Sequence, residues 1–233
     1  MVKNHMKRLT MPKTWRILRK NTTFITRPKA AGHTQEMGIS LNTFLKEMTN
    51  TTATTKETKY LLTKQEVQIN GKRKRNHKQQ VGFLDLITIP NTNKTYRIII
   101  DKKGKLSAKE IQGDETKKTF AIIKNKTTNK NGKTQINTLS GMNILDNTEK
   151  INEYKTGDTL IIKLPEKKIE SCIKREKGNL ALIYTGKHAG KTGTIEEITD
   201  QHIKIKTKDE TIQTKKSYII MIGNKKPELT IEA

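Results

Sequence analysis

Apolar residues in the segment MGISLNTFLKEM, residues 37–48, recur at the three- and four-residue intervals of an amphipathic helix. A second helix is predicted after Thr54, because Thr54 and Glu57 have the spacing of a capping box. In that motif an N-cap hydroxyl and an acid three residues later satisfy free amide groups at the first turn. Within the second helix, Tyr60 and Leu61 are expected to face a core.

The next segment alternates between apolar and polar residues over residues 66–69, as in a half-buried strand. Asn70-Gly71 then predicts a two-residue hairpin, because a type I′ turn needs positive φ at both central positions. The cations of residues 72–75, KRKR, would line the return strand. Together with Lys56 and Lys59 outside the preceding helix, they predict a compact RNA-binding surface. The alternative is a solvated run of charge.

From residue 83 onward, short apolar segments alternate with Gly, Asn and Pro turns, which is the pattern of consecutive strands. The segments FLDLITI, TYRIIID and LSAKEI, and then FAIIKN, TQINTL and TLIIKL, predict a small β-barrel. Residues 170–223 predict a second β unit that begins with IESCIK and ends with SYIIMIG. The predicted fold class is therefore α+β and mostly β.

The first 40 residues are basic and rich in turns. Residues Pro12 to Lys20 are predicted to form a short helix, with Trp15 and Leu18 on one side of it. This segment has too few apolar residues to close a core by itself. Trp15 and Phe24 are therefore expected to dock onto the rest of the chain, and stacking on nucleic-acid bases is the alternative.

Composition and charge then point to a partner. Apolar residues make up only 32% of the chain, so several small cores joined by basic segments are expected. The net charge is +24, and residues 1–100 contain 20 Lys and Arg but only 5 Asp and Glu. Because such an excess opposes compaction, it indicates a polyanionic partner. The 39 lysines against 8 arginines favour phosphate contact over base reading, although biased codon usage is an equal alternative.

The loop YTGKHAGKTG, residues 184–193, ends like a phosphate-binding P-loop. It does not match one, because only three residues separate Gly186 from Gly190, and Thr185 stands where the first glycine is required. The residues that follow alternate like strands, whereas a P-loop leads into a helix. A hairpin of a small SH3-like barrel is expected instead, and a merely solvated hairpin is the alternative. The side chains at its tip would be Lys187, His188 and Lys191.

No active site, metal site or cofactor is predicted. The single cysteine, Cys172, allows neither an internal disulfide nor a cysteine-ligated zinc site. The five histidines lack metal-ligand spacing, and the acid pairs at residues 114–115, 196–197 and 209–210 are interpreted as surface charge. No apolar stretch approaches the roughly 18 residues of a membrane span, and no signal peptide is recognised. A cytosolic setting is expected.

Five short motifs occur in order along nearly the whole chain. They are His5-Met6-Lys7-Arg8 with Pro12 and Trp15, Arg27-Pro28 with Gly32-His33, VQINGK at 67–72, VGFLD at 81–85, and YTGKHAGKTGTI at 184–195. Together they resemble the archaeal and eukaryotic small-subunit ribosomal protein family called S-four-e, whose last motif is a KOW loop. The chain departs from the family at Thr185, where a glycine is usual, and at His188, where an asparagine is usual.

The resemblance implies an α+β, mostly β chain. The implied segments are a basic extension at 1–36, an S-four-type RNA-binding domain at 37–90, a central β-barrel domain at 91–169, a KOW SH3-like barrel at 170–223 and a tail at 224–233. It also implies a structural component of the small ribosomal subunit that binds small-subunit ribosomal RNA in the cytoplasm, without catalysis. Neighbouring ribosomal proteins are implied as partners, whereas a membrane, a small-molecule substrate, a cofactor and a homo-oligomer are not.

The extension is expected to thread along RNA and to become ordered on binding, while the hairpin clamps phosphates. The expected RNA-binding residues are Lys3, His5, Lys7, Arg8, Lys13, Arg16, Arg19, Lys20, Arg27, Lys29, His33, Lys56, Lys59, Lys72, Arg73, Lys74, Arg75, Lys78, Lys187, His188 and Lys191.

Two other classes of protein compete with this interpretation. The first is a KOW-containing transcription or translation factor that binds RNA off the ribosome, which the charge of the first 100 residues disfavours. The second is an RNA-modifying enzyme with an S-four-type domain. It would need a large α/β catalytic domain, whereas residues 101–233 predict small β units.

The three classes predict different sedimentation of the tagged chain. A ribosomal protein should comigrate with small subunits in a ribosome profile, because its RNA partner is part of that particle. A pool that stays free, or that migrates with RNA polymerase, would instead support one of the competing classes.

Overall fold

The computed structural model describes residues 4–129, 133–145, 153–207, 210–224 and 226–231. Lys3, the middle of the predicted turn at 128–133, and Asp209 lie outside the described residues. The chain divides into two compact units, of which unit 1 comprises Met1–Ile99 and Lys105–Thr116 and unit 2 comprises Ile100–Gly104 and Lys117–Ala233. Strands dominate the described parts of both units, which confirms the α+β, mostly β class.

In its described residues, unit 1 combines two helices and short 3₁₀ turns with three small sheets. Helix α1, Leu41–Thr43, continues into a π-helical segment, Phe44–Met48, and helix α2 spans Thr55–Lys64. The strands are β1 (Met6–Lys7), β2 (Phe24–Ile25), β3 (Gly38–Ser40), β4 (Gln68–Ile69), β5 (Lys72–Arg73), β6 (Gln80–Gly82), β7 (Leu86–Ile89), β8 (Lys94–Ile100) and β9 (Leu106–Ile111). Strand β1 pairs with β2, β3 pairs with β6, and the remaining strands form a sheet in the order β5-β4-β7-β8-β9.

Both predicted helices form, and each begins at a side-chain cap. The first starts at Leu41, because the residues before it pair with β6 as strand β3. The Ser40 hydroxyl caps it by accepting a hydrogen bond from the Thr43 amide at 3.3 Å. At the second helix, the Glu57 amide donates to the Thr54 hydroxyl at 3.2 Å, which confirms Thr54 as the N-cap. The Glu57 carboxylate reaches back and accepts from the Ala53 amide at 2.8 Å.

The orientation predicted for Tyr60 is wrong. Its side chain is 64% exposed, whereas Thr58, Leu61 and Leu62 are buried. On a helix with 3.6 residues per turn these three positions share one face, and Tyr60 lies on another. An aromatic side chain therefore remains on the same helix as the exposed cations Lys56 and Lys59.

The segment before α1 is folded against the rest of unit 1. The Trp15 side chain is buried, its indole N–H donates to the Gln35 carbonyl at 3.3 Å, and the Leu106 amide donates to the Thr14 carbonyl at 2.7 Å. These contacts confirm that Trp15 docks onto the rest of unit 1. Turns occupy the region where a helix was predicted between Pro12 and Lys20.

Arg8 fixes this segment to the first helix. Its guanidinium is buried, forms an ion pair with Glu47 and donates to the carbonyl of Leu18. A second nitrogen of the group lies 2.9 Å from Glu47 Oε1 and 3.3 Å from Thr22 Oγ1. A planar group with five donors suits such a junction, because it satisfies several acceptors at fixed angles.

Unit 2 consists of two antiparallel five-stranded sheets in its described part. The first has the order β12-β11-β10-β13-β14 and the second has the order β18-β17-β16-β15-β19. The strands are β10 (Lys118–Thr128), β11 (Thr134–Thr138), β12 (Asn143–Leu145), β13 (Thr159–Lys163), β14 (Lys168–Ile173), β15 (Leu180–Ile183), β16 (Thr192–Ile198), β17 (His202–Lys206), β18 (Thr211–Lys215) and β19 (Ile219–Gly223). Strand β16 follows the glycine-containing loop directly, as predicted, and no P-loop helix begins there.

The buried tryptophan generates a stability prediction. Replacing Trp15 by Ala should lower the free energy of unfolding by about 3–5 kcal/mol, because it removes a large buried ring. Leu18→Ala in the same segment is the matched control, and as an exposed change it should cost less than about 0.5 kcal/mol. Urea unfolding followed by far-ultraviolet circular dichroism measures both, and equal losses would contradict the docked position of Trp15.

Candidate RNA-binding surface

The turn of the cationic hairpin has the predicted geometry. Asn70 and Gly71 have φ of 51° and 73°, as a type I′ turn requires. The Asn70 side chain also holds the turn against the sheet, because its Nδ2 donates to Asp85 Oδ1 at 2.7 Å and its Oδ1 accepts from the Leu86 amide at 2.9 Å. The direction in which β4 and β5 project is therefore fixed by side-chain contacts as well as by the ladder.

The second oxygen of the Asp85 carboxylate joins two further segments to the hairpin. Asp85 Oδ2 lies 2.8 Å from His33 Nε2 and accepts a hydrogen bond from the Gly82 amide at 2.8 Å. Asp85 is buried, and the His33 side chain is only 8% exposed. His33 was predicted to contact RNA, but its ring lies inside unit 1 and bonds to a carboxylate, so it is not offered to a partner.

The buried contact also changes the acidity of His33. Burial alone would lower the pKa of His33, but the negative charge of Asp85 and the hydrogen bond to it together raise that pKa above its ordinary value of 6.5. Protonation of the ring therefore strengthens the junction between the N-terminal segment and the hairpin turn.

Backbone hydrogen bonds join the segment of Lys29 and the start of helix α1 to the residues that follow the hairpin. The Lys29 amide donates to the Lys78 carbonyl at 2.7 Å, and the Asn42 amide donates to the His77 carbonyl at 2.9 Å. Burial, and then the positive charges of Lys59 and Lys78, lower the pKa of His77. We call the following set of exposed or half-exposed cations the cationic face. Its members are Lys29, Lys56, Lys59, Lys72, Lys74, Arg75 and Lys78.

The buried side chain of Asn42 holds together two segments that carry members of the cationic face. Its Nδ2 lies 2.7 Å from Thr26 Oγ1 and 3.3 Å from Thr55 Oγ1, so one buried amide joins the N-terminal segment to the start of α2. The contact ties the segment that carries Lys29 to the helix that carries Lys56 and Lys59.

Arg73 braces the hairpin. Its guanidinium lies 3.0 Å from a Glu66 carboxylate oxygen and donates to the Thr63 carbonyl at 3.2 Å, near the end of α2. Arg73 was predicted to contact RNA, and in the structure its side chain holds the hairpin against the helix. Lys72 and Arg75 on either side of it are exposed, and Lys74 is half-exposed.

The predicted residues of the N-terminal segment separate into two groups. Arg8 is buried, and Arg19 is half-buried and donates to the carbonyls of Leu9 and Met11 at 3.1 and 3.0 Å. Direct RNA contact by Arg8 is excluded by its burial and its ion pair with Glu47. Arg16 contacts Ser107 at 3.4 Å, and Arg27 is half-buried. The exposed members are His5, Lys7, Lys13, Arg16, Lys20 and Lys29.

The loop between β15 and β16 in unit 2 carries less uncompensated charge than its sequence suggests. Lys191 Nζ lies 2.6 Å from Glu210 Oε1, and His188 Nδ1 lies 3.9 Å from the same oxygen. The hydrogen bond and the charge of Lys191 lower the pKa of Glu210. Of the three predicted tip residues, Lys187 is exposed, and His188 and Lys191 are half-buried.

The same loop packs tightly on its own unit at Gly190. This residue has φ of 89°, and a Cβ placed on it would lie 2.1 Å from the Asp101 carbonyl oxygen. The glycine is therefore required both for the backbone conformation and for the close approach of two chain segments.

Two features of unit 1 were missed by pattern reasoning. The Arg97 side chain is fully buried in β8 and its Nη1 lies 3.0 Å from Glu115 Oε2, although Glu115 had been interpreted as simple surface charge. Burial lowers the pKa of Arg97, and the contact with Glu115 opposes that effect. The second feature is Phe24, which was expected to dock and is instead 56% exposed.

The chemistry of the described residues gives no competing site. The described part of the chain has no group of three or more His, Cys, Asp or Glu side chains that could hold a metal ion. In the same part, no helix is both long and apolar enough to cross a membrane. Burial raises the pKa of the Cys172 thiol to about 11, which makes it a weak nucleophile at neutral pH.

The fold and the cationic face are those of a basic, β-rich protein with the exposed charge expected of one that binds a polyanion. Comparison with known proteins identifies the family. Residues 92–169 match the description "Ribosomal family S4e", and residues 2–36 match the "RS4NT domain". The chain belongs to the S4e family of ribosomal proteins, which confirms the resemblance drawn from its motifs.

Relatives match over almost the full length. The small ribosomal subunit protein eS4 of Methanosphaera stadtmanae is 37% identical, covering 98% of this chain and 96% of the relative. The eS4 protein of Methanocaldococcus jannaschii is 33% identical over 97% of this chain and 96% of its own. The crystal structure of the 30S ribosomal protein S4e from Thermoplasma acidophilum has a TM-score of 0.68 at 25% identity, covering 81% of this chain and 96% of that one.

The His33–Asp85 contact predicts a pH-dependent stability. Because the pKa of His33 is raised on folding, the protonated ring adds stability that is complete below about pH 6.5 and is lost as the pH rises through the folded pKa. The difference in unfolding free energy between wild type and His33→Gln should therefore be larger at about pH 5.5 than at about pH 8.5. Urea titrations of both proteins at the two pH values test this, and a difference independent of pH would contradict it.

Proposed function

We propose that the chain is held in the small ribosomal subunit chiefly by its cationic face, which binds the phosphates of folded small-subunit ribosomal RNA. As a member of the S4e family, it is a structural component of that subunit in the cytoplasm and not an enzyme. Its partners are ribosomal RNA and ribosomal proteins. The match over nearly the full chain does not favour a factor that acts off the ribosome.

The observation that carries the proposal is the convergence of cations from three segments around one buried support. Lys29, Lys78 and the start of α2 are joined through backbone bonds and through Asn42, so the backbone positions that carry these cations are fixed relative to one another. A fixed array of cations binds a folded phosphate surface with less loss of side-chain and backbone freedom than a flexible tail does.

Lysine predominates on this face, and that supports phosphate contact. The ammonium group is a compact point charge, whereas reading of base edges favours the planar guanidinium. Each phosphate that is neutralised releases condensed counterions, so the affinity should fall steeply as salt rises. The second unit contributes Lys187 at the tip of its loop, and we propose a secondary contact there with RNA or with a neighbouring protein.

The predicted segments at 1–36, 37–90, 91–169, 170–223 and 224–233 are retained as a proposal for domain organisation. The KOW character of the loop at 184–195 has the same status, and it is supported by the strand–loop–strand arrangement of β15 and β16. The boundaries proposed after residue 116 do not affect the RNA-binding proposal for the cationic face, because that face lies entirely within unit 1.

The hairpin supplies the sharpest test. The triple variant Lys72→Ala, Lys74→Ala and Arg75→Ala should bind a transcript of small-subunit ribosomal RNA more weakly. The slope of log affinity against log salt concentration should become shallower by about 2–3, because each lost phosphate contact removes roughly 0.7–0.9 of slope. Arg73 is left in place because it braces the hairpin.

A charge-matched control separates a specific surface from net charge. Lys168→Ala, Lys204→Ala and Lys206→Ala also remove three cations, but each of these lysines lies in unit 2 within 3.5 Å of a glutamate. The control should change affinity and slope much less than the hairpin variant does. Equal effects of the two variants, or an unchanged slope in the hairpin variant, would overturn the assignment.

A further inference from the structure

Large apolar side chains remain exposed in the N-terminal segment of unit 1. Leu9, Leu18 and Phe24 are 66%, 74% and 56% exposed, while Met6, Met11 and Trp15 of the same segment are buried. Single exposed apolar residues are common on protein surfaces, but several on one short segment indicate a binding surface. Some apolar side chains of the segment are therefore buried in the core of unit 1, and others are exposed to solvent.

The segments that carry these three side chains are held next to one another. Phe24 pairs with Lys7 in the ladder of β1 and β2. The Arg8 guanidinium donates to the Leu18 carbonyl, and the Arg19 guanidinium donates to the Leu9 carbonyl at 3.1 Å. Two arginines thus fix the backbone that presents the exposed side chains, and the surface is preorganised.

Phe24 forms an aromatic pair that is suited to stacking. Its ring meets the His5 ring edge to face, with centroids 5.8 Å apart and planes at 85°. The contact limits the motion of Phe24 and still leaves more than half of that residue exposed. Nucleic-acid bases stack on exposed aromatic rings of this kind, and stacking does not require a particular base.

Charge favours RNA over an apolar protein partner. Residues 4–36 contain eight Lys and Arg and one acid, Glu36. Lys7 lies directly opposite Phe24 in the ladder, and Lys13 and Lys20 are exposed on the same segment. A stacked base brings its own phosphates with it, and cations around the ring would contact them.

We propose that Phe24, with His5 at its edge, is a stacking site for an unpaired base of ribosomal RNA. Lysines of the same segment contact the adjacent phosphates, and Leu9 and Leu18 provide apolar surface on the neighbouring segments. The inference rests on the proposed function and specifies that the RNA at this site is unpaired. A base inside a duplex is already stacked, so the site takes a loop, a bulge or an end.

Two substitutions at Phe24 separate stacking from general apolar contact. Phe24→Leu keeps an apolar side chain but removes the ring, whereas Phe24→Trp keeps a stacking surface. With full-length protein and a transcript of small-subunit ribosomal RNA, Phe24→Leu should lower the affinity by about 5- to 30-fold, the equivalent of losing one stacked base. Phe24→Trp should bind like wild type. The salt slope should change little among the three proteins, because neither substitution removes a cation.

Ultraviolet crosslinking in the assembled particle tests the same contact directly. Small subunits that contain the full chain are irradiated and digested with trypsin, and the masses of nucleotide-bearing peptides are measured. We expect a nucleotide on the tryptic peptide NTTFITRPK, residues 21–29, because trypsin does not cleave between Arg27 and Pro28. It should be lost in Phe24→Leu and recovered in Phe24→Trp.

Several outcomes would overturn the inference. One is an unchanged affinity of Phe24→Leu for RNA together with no nucleotide on the wild-type peptide of residues 21–29. Another is normal RNA affinity but poor incorporation of Phe24→Leu into subunits, which would identify the partner as a ribosomal protein. Either result leaves the proposed function intact if the hairpin variant still flattens the salt slope, so failure of the two proposals can be distinguished.

Discussion

The arrangement of unit 1 depends on one buried carboxylate, that of Asp85. Its two oxygens bond to the side chains of Asn70 and His33 and to the Gly82 amide. A buried carboxylate is tolerated only where hydrogen-bond donors of the protein replace water. Removing one of these donors lowers the free energy of unfolding by about 1–3 kcal/mol. Because the three donors belong to the hairpin turn, the N-terminal segment and strand β6, the carboxylate holds together the segments that carry the cations. A Cβ at Gly82 would lie 2.4 Å from the His33 ring, so the approach also needs a glycine.

An excess of positive charge opposes folding through self-repulsion. The chain limits this effect by using arginine and lysine in different places. Two arginines are buried in ion pairs, Arg8 with Glu47 and Arg97 with Glu115. Arg73 pairs with Glu66 at the surface, where the hairpin meets the end of helix α2. The planar guanidinium meets a carboxylate and a nearby carbonyl together, so it satisfies several groups in a confined space. Lysines supply most of the exposed charge on the cationic face. The excess of lysine over arginine therefore has a structural counterpart, whatever codon usage contributes to it.

Local signals were sufficient for some elements and not for others. The Asn70-Gly71 turn and the Thr54 cap were predictable, because each depends on backbone conformation within a few residues. The burial of Arg8 and His33 was not, because their partners Glu47 and Asp85 lie 39 and 52 residues away. Sequence patterning therefore placed the cationic hairpin correctly. It could not distinguish cations that support the surface from cations that form it.

The central claim is that the exposed lysines of the hairpin and of the neighbouring helix face ribosomal RNA. A cryo-electron microscopy structure of the small ribosomal subunit that contains this chain tests it most directly. We expect Lys59, Lys72 and Lys74 to lie within hydrogen-bonding distance of phosphate oxygens, with the hydrogen bonds of Asp85 intact. A hairpin that faces solvent, or that is covered by a neighbouring protein, would contradict it.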